Sequence, residues 1–293
     1  MKKIICFGEV LWDVFPTYKR IGGAPLNVAV RLASFQNDVS LISKIGQDEE
    51  GIKIIDYLSK KGVNVACLQK DNELKTGSVS VLLDGEGSAS YTIDSPRAWD
   101  TIGFDEKAKE EVAAADAFIF GSLVCRNTVS KNTLFEFLNS ATYKVFDVNL
   151  RAPFYTREVL IELMGKADFI KFNDDELLLI AEYFGSQHRT LEKHINFLSK
   201  ATNTPHICVT RGKDGAILLY NGKLYHQKGY PVEVVNTVGA GDSFLASLIS
   251  YLLKGESPQY AMDLACAVGG LVAQSEGANP ELTFEEIHSF RNL

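Results

Sequence analysis

Asp242 stands at the end of a run of small residues, Thr237-Val238-Gly239-Ala240-Gly241, directly ahead of an apolar stretch. Phe244, Leu245, Leu248, Ile249, Leu252 and Leu253 recur there at helical spacing, and Lys254-Gly255 supplies a basic last turn and a stop. A helix N-terminus presents unpaired N–H groups and the positive end of the helix dipole. With Gly239, Ala240 and Gly241 in front of it, little side-chain bulk separates a phosphate from the backbone. A carboxylate beside an anion cradle is what phosphoryl transfer to an alcohol needs: one group takes the hydroxyl proton, the other steadies the phosphoryl charge. An Asp in the first turn also serves any helix as an ordinary cap, and the pattern alone leaves both roles open.

Other residues with chemical capacity follow turn signals or short apolar runs. Gly22-Gly23-Ala24-Pro25-Leu26-Asn27 allows a tight turn into a helix and sends Asn27 out from its first turn. Asp147, Asn149 and Arg151 follow one apolar run, Asn173 and Glu176 a second, and Thr210, Arg211 and Gly212 a third. Asn173-Asp174-Asp175-Glu176 also reads as a helix capping box. Arg151 suits either a bidentate phosphate contact or a surface ion pair.

Elements able to position these groups are legible in the same pattern. Short β-branched or aromatic runs predict strands at 4–8, 39–45, 117–120, 144–148, 169–172 and 207–210. Helical periodicity predicts helices at 25–35, 51–61, 130–140, 158–165, 174–184, 191–201, 261–274 and 283–290. Strand and helix in alternation imply crossover connections and a mostly parallel sheet covered on both faces, a three-layer α/β/α sandwich. Two hairpins interrupt the rhythm, 78–83 with 89–93 about Asp84-Gly85-Glu86-Gly87, and 216–220 with 223–227 about Asn221-Gly222. The first is expected to project as a small β lid. Nothing in the composition splits the chain, so residues 1–293 read as one domain with lid segments near 10–22 and 76–98. Ligands of open parallel sheets gather at the carboxyl ends of the strands, where the polar clusters fall.

Composition narrows the classes. The chain has 293 residues and a formal net charge of −7, which argues against nucleic acid or an anionic membrane as partner. An anionic substrate then needs a local positive site. Five cysteines are scattered without a Cys-x-x-Cys pair, which implies free thiols and a reducing cytoplasm. The five histidines show no zinc spacing, and the short Ile4–Phe7 run is no signal-peptide core. A Rossmann fingerprint and a Gly-x-x-x-x-Gly-Lys-Ser/Thr loop are both missing.

Gly22-Gly23-x-x-x-Asn27 with Gly46, and Thr237-x-Gly239-Ala240-Gly241-Asp242 late in the chain, resemble the two signatures of the ribokinase-like, or phosphofructokinase-B type, carbohydrate kinases. Gly8-Glu9-Val10-Leu11-Trp12-Asp13 and Asp147-x-Asn149-x-Arg151 look most like the fructokinase branch. The resemblance spans essentially the whole chain. It implies that Asp242 is the base for the sugar's primary hydroxyl and that Gly239, Ala240 and Gly241 give backbone donors to the phosphoryl group. It further implies sugar contacts by Asp13, Gly23 and Asn27, with Arg97 as the candidate cation for a sugar acid. Asn173 and Glu176 match a family Asn-x-x-Glu motif that places metal and nucleotide phosphates, with Glu176 toward the metal. Thr210, Gly212 and Gly215 match the loop beside the nucleotide.

The function so implied is transfer of the ATP γ-phosphate to the 6-hydroxyl of D-fructose, with Mg²⁺ as cofactor, lid closure to exclude water, and a homodimer formed through the lid. Ribose, 2-keto-3-deoxygluconate and a nucleoside are the alternative acceptors, and a non-catalytic sugar-binding regulator is the alternative class. Trp12, Phe15, Tyr91 and Trp99 are candidates to shape the sugar pocket or to build the lid. Gln36 stands where the first signature usually has glycine or serine. Asn236 replaces an aspartate that helps hold potassium in relatives activated by that ion, keeping a carbonyl oxygen and losing a charge. Ser247 replaces a small apolar residue.

Overall fold

Side-chain alternation along the strands builds two cores, one on each face of a central sheet. The computed structural model describes residues 1–83 and 89–292. In β1 (Lys3–Phe7), Ile5 and Phe7 enter one core while Ile4 and Cys6 enter the other. The remaining strands are β2 (Leu11–Val14), β3 (Lys19–Gly22), β4 (Asp38–Gly46), β5 (Leu68–Asp71), β6 (Gly77–Leu83) and β7 (Ala89–Ile93). They continue with β8 (Ala117–Gly121), β9 (Lys144–Asp147), β10 (Phe169–Asn173), β11 (His206–Thr210), β12 (Ala216–Tyr220) and β13 (Lys223–Gln227). Nine of them form one sheet in the order β13-β12-β11-β10-β9-β8-β1-β4-β5. Its pairings are parallel from β5 to β11 and antiparallel at the β11-β12-β13 edge.

Helices cover both faces, as the alternation of elements requires. One face carries α1 (Ala24–Ser34) and α2 (Glu49–Lys60). The other carries α3 (Glu106–Ala113), α4 (Thr128–Ser140), α5 (Arg157–Met164), α6 (Asp174–Tyr183) and α7 (Leu191–Thr202). The chain then returns to the first face with α8 (Ala240–Leu253) and α9 (Pro258–Ala273), and α10 (Phe284–Arg291) packs on α9. The result is the expected α/β/α sandwich. The second sheet is the expected lid, ordered β3-β2-β6-β7, with β2 and β6 parallel and the other pairs antiparallel. The turn predicted at Asp84–Gly87 lies outside the described residues.

Differences from the sequence expectation have simple causes. Edge strand β5 (Leu-Gln-Lys-Asp) pairs only with β4 and needs no apolar run, so periodicity misses it. Helix α3 buries little beyond Ala108 and Val112 and depends on its Asp105 cap. Helix α9 starts earlier than position 261 because the Ser257 side chain caps it and Pro258 suits the first turn. Capping boxes form at both predicted places, Asn173 with Glu176 and Thr283 with Glu286.

Gln36, in the first signature just after α1, has φ 61, a left-handed conformation that favours glycine, and it is exposed. Gln36→Gly is therefore expected to stabilise the protein by about 0.5–1 kcal/mol in urea denaturation, with an unchanged slope.

Candidate active site

The carboxyl ends of β1, β9, β10 and β11 open into a cleft of about 540 Å³, closed above by the lid. Asp13, Gly23, Asn27, Gly239, Gly241 and Asp242 all line it. Residues more than two hundred positions apart in sequence thus meet at one edge of the sheet.

Helix α8 points its N-terminus into this cleft. Gly239 caps it with φ 80, and a Cβ on Gly239 would lie 2.5 Å from the Ala278 side chain, so only glycine lets the two segments approach. Among the described residues, the N–H groups of Gly239, Gly241 and Asp242 find no backbone acceptor. The Ala240 N–H instead donates to Thr237 O at 3.2 Å. Of the expected Gly-Ala-Gly donors, Ala240 is engaged in the turn, while Gly239 and Gly241, and with them Asp242, keep N–H groups without a backbone acceptor. Asp242 Oδ2 accepts from Asn27 Nδ2 at 2.8 Å. Burial, then the neighbouring Asp147 carboxylate, push the Asp242 carboxyl up to about 6, against the pull of Asn27, Lys171 and Arg151.

Lys171 is a residue the sequence reading passed over. It occupies the middle of Phe-Ile-Lys-Phe, and strand parity places it on the α8 face, two residues beyond the core side chain of Phe169. In the β9–β10 ladder its register partner is Asp147, whose Oδ1 accepts from Lys171 Nζ at 2.8 Å. Both side chains are buried. Burial lowers the Lys171 pKa, yet Asp147, Glu176 and Asp242 outweigh it and hold the ammonium above its usual range. A Cβ on Gly241 would sit 3.6 Å from Nζ, so the cation lies under the α8 N-terminus. A lysine inside an apolar run was the available signal.

Glu9 also escaped notice as a cleft residue. Its Oε1 accepts from Ala24 N at 3.3 Å and caps α1, while Oε2 is buried without a partner among the described residues. Burial pushes the Glu9 carboxyl up to about 7.

Beneath the lid, Asp13 lines the cleft from β2, paired with Arg20 and diagonal to Gly22, where a Cβ would approach Asp13 Oδ2 to 2.5 Å. Burial raises Asp13 to about 6. Gly23, at φ 108, packs on the Glu9 carbonyl. Arg97 does not line the cleft. Its guanidinium donates to Asp94 Oδ2 at 2.5 Å, so the expected cation for a sugar acid is tied into the base of the lid. Arg151 lines the cleft instead, exposed and donating only to Leu150 O among the described residues. Of the aromatic candidates, Phe15 lines the cleft, Trp12 donates to Glu50 O, and Trp99 is buried beneath Gly77 with Arg126 over its ring. Nothing is described of the Tyr91 side chain.

At the ends of β10 and β11, Asn173, Glu176 and Thr210 line the cleft. The capping role of Asn173 and Glu176 is realised: Asn173 Oδ1 accepts from Glu176 N and Glu176 Oε2 from Asn173 N, both at 2.8 Å. Glu176 Oε1 accepts in addition from Leu150 N. Gly212 and Gly215 do not line the cleft. Gly212 opens the turn after β11 at φ 52, and Gly215 is pressed against the backbone of Gln227–Gly229, a packing role. Asn236 turns its Oδ1 to Val238 N at 2.9 Å, within its own loop.

No group of three metal-ligating side chains occurs among the described residues. Mg²⁺ carried on nucleotide phosphates needs only one or two carboxylates and keeps several waters. The cleft-lining Glu176 fits such an ion, while Asp147 lies buried behind Lys171 and does not line the cleft.

A family model described as pfkB family carbohydrate kinase matches residues 1–284. The fructokinase of Salmonella typhimurium is 27% identical over 97% of each chain. A sugar kinase of Pyrococcus horikoshii, solved in complex with ATP, is 28% identical with a TM-score of 0.82, over 98% of this chain and 99% of that one. A putative ribokinase of E. coli, solved with ATP and Mg²⁺, shares the fold at a TM-score of 0.87 and 21% identity, over 100% and 99% of the two chains.

Removing one partner of the buried pair should expose its cost. Lys171→Met is expected to destabilise the protein by about 3–5 kcal/mol in urea denaturation, because Asp147 is left charged and buried. Adding Asp147→Leu should recover most of that loss. Additive losses would show that the two residues do not act as a pair.

Proposed function

The chain belongs to the pfkB family of carbohydrate kinases, and from that premise we propose that it transfers the γ-phosphate of ATP to the 6-hydroxyl of D-fructose. One observation carries the reading: Asp242, beside the open α8 N-terminus, shares its cleft with Asp13, Gly23 and Asn27, whose polar groups would meet the hydroxyls of a sugar.

In this reading the sugar's primary hydroxyl rests against Asp242, which takes its proton as the oxygen attacks phosphorus. A carboxyl raised to about 6 is ionised at neutral pH yet basic enough to hold that proton. The N–H groups of Gly239, Gly241 and Asp242, with the Lys171 ammonium beneath, meet the charge on the phosphoryl oxygens. Glu176 would hold Mg²⁺ through water, and the ion would supply charge neutralisation across the phosphates. Glu9 and Asp13 make the sugar side acidic, which favours a neutral sugar. Asn173 and Thr210 would meet the nucleotide. The side-chain oxygen of Asn236 is occupied within its own loop, which favours turnover without added potassium. Pairing of two lids, whose Val14 and Tyr18 are exposed, belongs to the same proposal and is read by light scattering. A second reading, phosphorylation of 2-keto-3-deoxygluconate, has one observation behind it: Arg151 lines the cleft as an exposed cation.

ATP consumption with Mg²⁺ against fructose, ribose, 2-keto-3-deoxygluconate, glucose and adenosine, in sodium or potassium salt, tests the proposal. Turnover on fructose alone supports it. Preference for the sugar acid, lost in Arg151→Ala, would replace it with the second reading, and sugar binding without turnover on any acceptor would favour a regulator.

Three further outcomes are expected. Activity should be full above pH 7 and fall as pH drops through about 6, where Asp242 takes up a proton. Asp242→Asn should lower kcat by about 10²–10⁴-fold. The same change should raise the melting temperature at pH 7.5. A carboxyl whose folded pKa lies above its unfolded value favours the fold only while protonated, and that contribution is gone above about pH 6. The asparagine removes a cost on the order of 1–3 kcal/mol.

A further inference from the structure

Two asparagines stand in series behind Asp242. Asn27 Nδ2 donates to Asp242 Oδ2 at 2.8 Å, and Asn279 Nδ2 donates to Asn27 Oδ1 at 2.8 Å. The carboxylate dictates the order of both amides. An ionised carboxylate only accepts, so Asn27 must turn its NH₂ toward Asp242. Its carbonyl then faces away and requires a donor, which the NH₂ of Asn279 supplies. Asn27 is 3% exposed, so bulk water is poorly placed to substitute for that donor.

The segment that carries Asn279 joins α9 to α10 and is fastened to the same machinery at two more points. Ala278 packs on Gly239 at the α8 cap. The Pro280 carbonyl accepts from Arg31 Nη2 at 2.9 Å, and Arg31 Nε donates to Ser243 Oγ at 3.2 Å, next to Asp242 in the chain. A donor held this firmly can fix the orientation of the amide it serves.

We propose that Asn279 is a positioning residue, which acts through Asn27 to hold the Asp242 carboxylate in the orientation that meets the acceptor hydroxyl. This assignment rests on the reading of Asp242 as the base. Without Asn279, the Asn27 amide loses the bond that selects its orientation, and a flipped amide sets a carbonyl against the carboxylate. The groups facing Asp242 are Asn27 from α1, Asp147 from β9, Arg151 beyond β9, Lys171 from β10 and Glu9 beyond β1. Of these, Asn279 bonds to Asn27.

The test is a double-mutant cycle read on the Asp242 carboxyl itself. Protein labelled with ¹³C at aspartate carboxyls is titrated by NMR, with Asp242→Asn identifying the signal. Asn279→Ala is expected to raise the Asp242 pKa by about 0.5–1 pH unit. It should lower kcat about tenfold while the sugar KM stays within about twofold. In the Asn27→Ala background, Asn279→Ala should add nothing further. Asn279→Asp keeps the shape but offers an acceptor in place of the donor, and should raise the Asp242 pKa further. If Asn27→Ala does not fold, the two Asn279 variants against wild type decide the matter. An unchanged Asp242 titration in both Asn279 variants, additive shifts in the cycle, or a raised KM with unchanged kcat would each overturn the assignment. The titration reads without turnover. A wild type that phosphorylates nothing but shows the coupling would remove the kinase reading and leave the hold of Asn279 on Asp242 intact.

Discussion

The Lys171 ammonium, held between the Asp147 carboxylate and the N-terminus of α8, is the interaction on which the rest of the cleft depends. Glu9, Asp13, Asp147, Glu176 and Asp242 crowd around a space that would have to admit polyphosphate in a chain of net charge −7. Like charges at this density repel an anionic ligand. One buried cation, three free N–H groups and the end of a helix dipole offset that repulsion where the phosphoryl group would sit.

Backbone geometry makes this concentration possible. Gly239 allows the α8 N-terminus to lie on Ala278, and Gly22 leaves room for the Asp13 carboxylate across the ladder. At Glu9 a buried carboxyl caps α1 from outside its own segment, because Gly23 has no side chain to do so. Each accommodation has a stability cost that a neutral, well-packed core would not carry. Such costs concentrate in the cleft, while the two cores on either side of the sheet are filled by side chains in ordinary alternation. The cleft residues read as selected for chemistry and the cores for stability.

Local signals in the sequence were sufficient for the elements and for the ends of the site. Helical spacing after Asp242, the small residues before it, the turn at Gly22-Gly23 and the alternation of strand and helix are all short-range features, and they announced a three-layer fold with an open, glycine-lined helix terminus. The capping box at Asn173 was legible for the same reason, since its two hydrogen bonds close within three residues. Weakly apolar elements at edges, β5 and α3, were not, because their neighbours rather than their own composition keep them in place.

What only the tertiary structure decided is which side chain each group faces. Sequence cannot supply strand register, so it could not pair Lys171 with Asp147 or turn both toward α8. Nor could it show that Arg97 is tied to Asp94 while Arg151 stands at the cleft, since both are loop arginines in polar surroundings. The Ala240 N–H, turned back to Thr237, was invisible for a related reason: a turn's hydrogen bonds depend on dihedral angles that residue types only bias. The link from Asn279 through Asn27 to Asp242 spans 252 and 215 residues in its two steps, beyond any local pattern. Residue types and short spacings determined the chemistry this chain can offer. Packing across the sheet decided which residues deliver it, because hydrogen bonds and charges act through space.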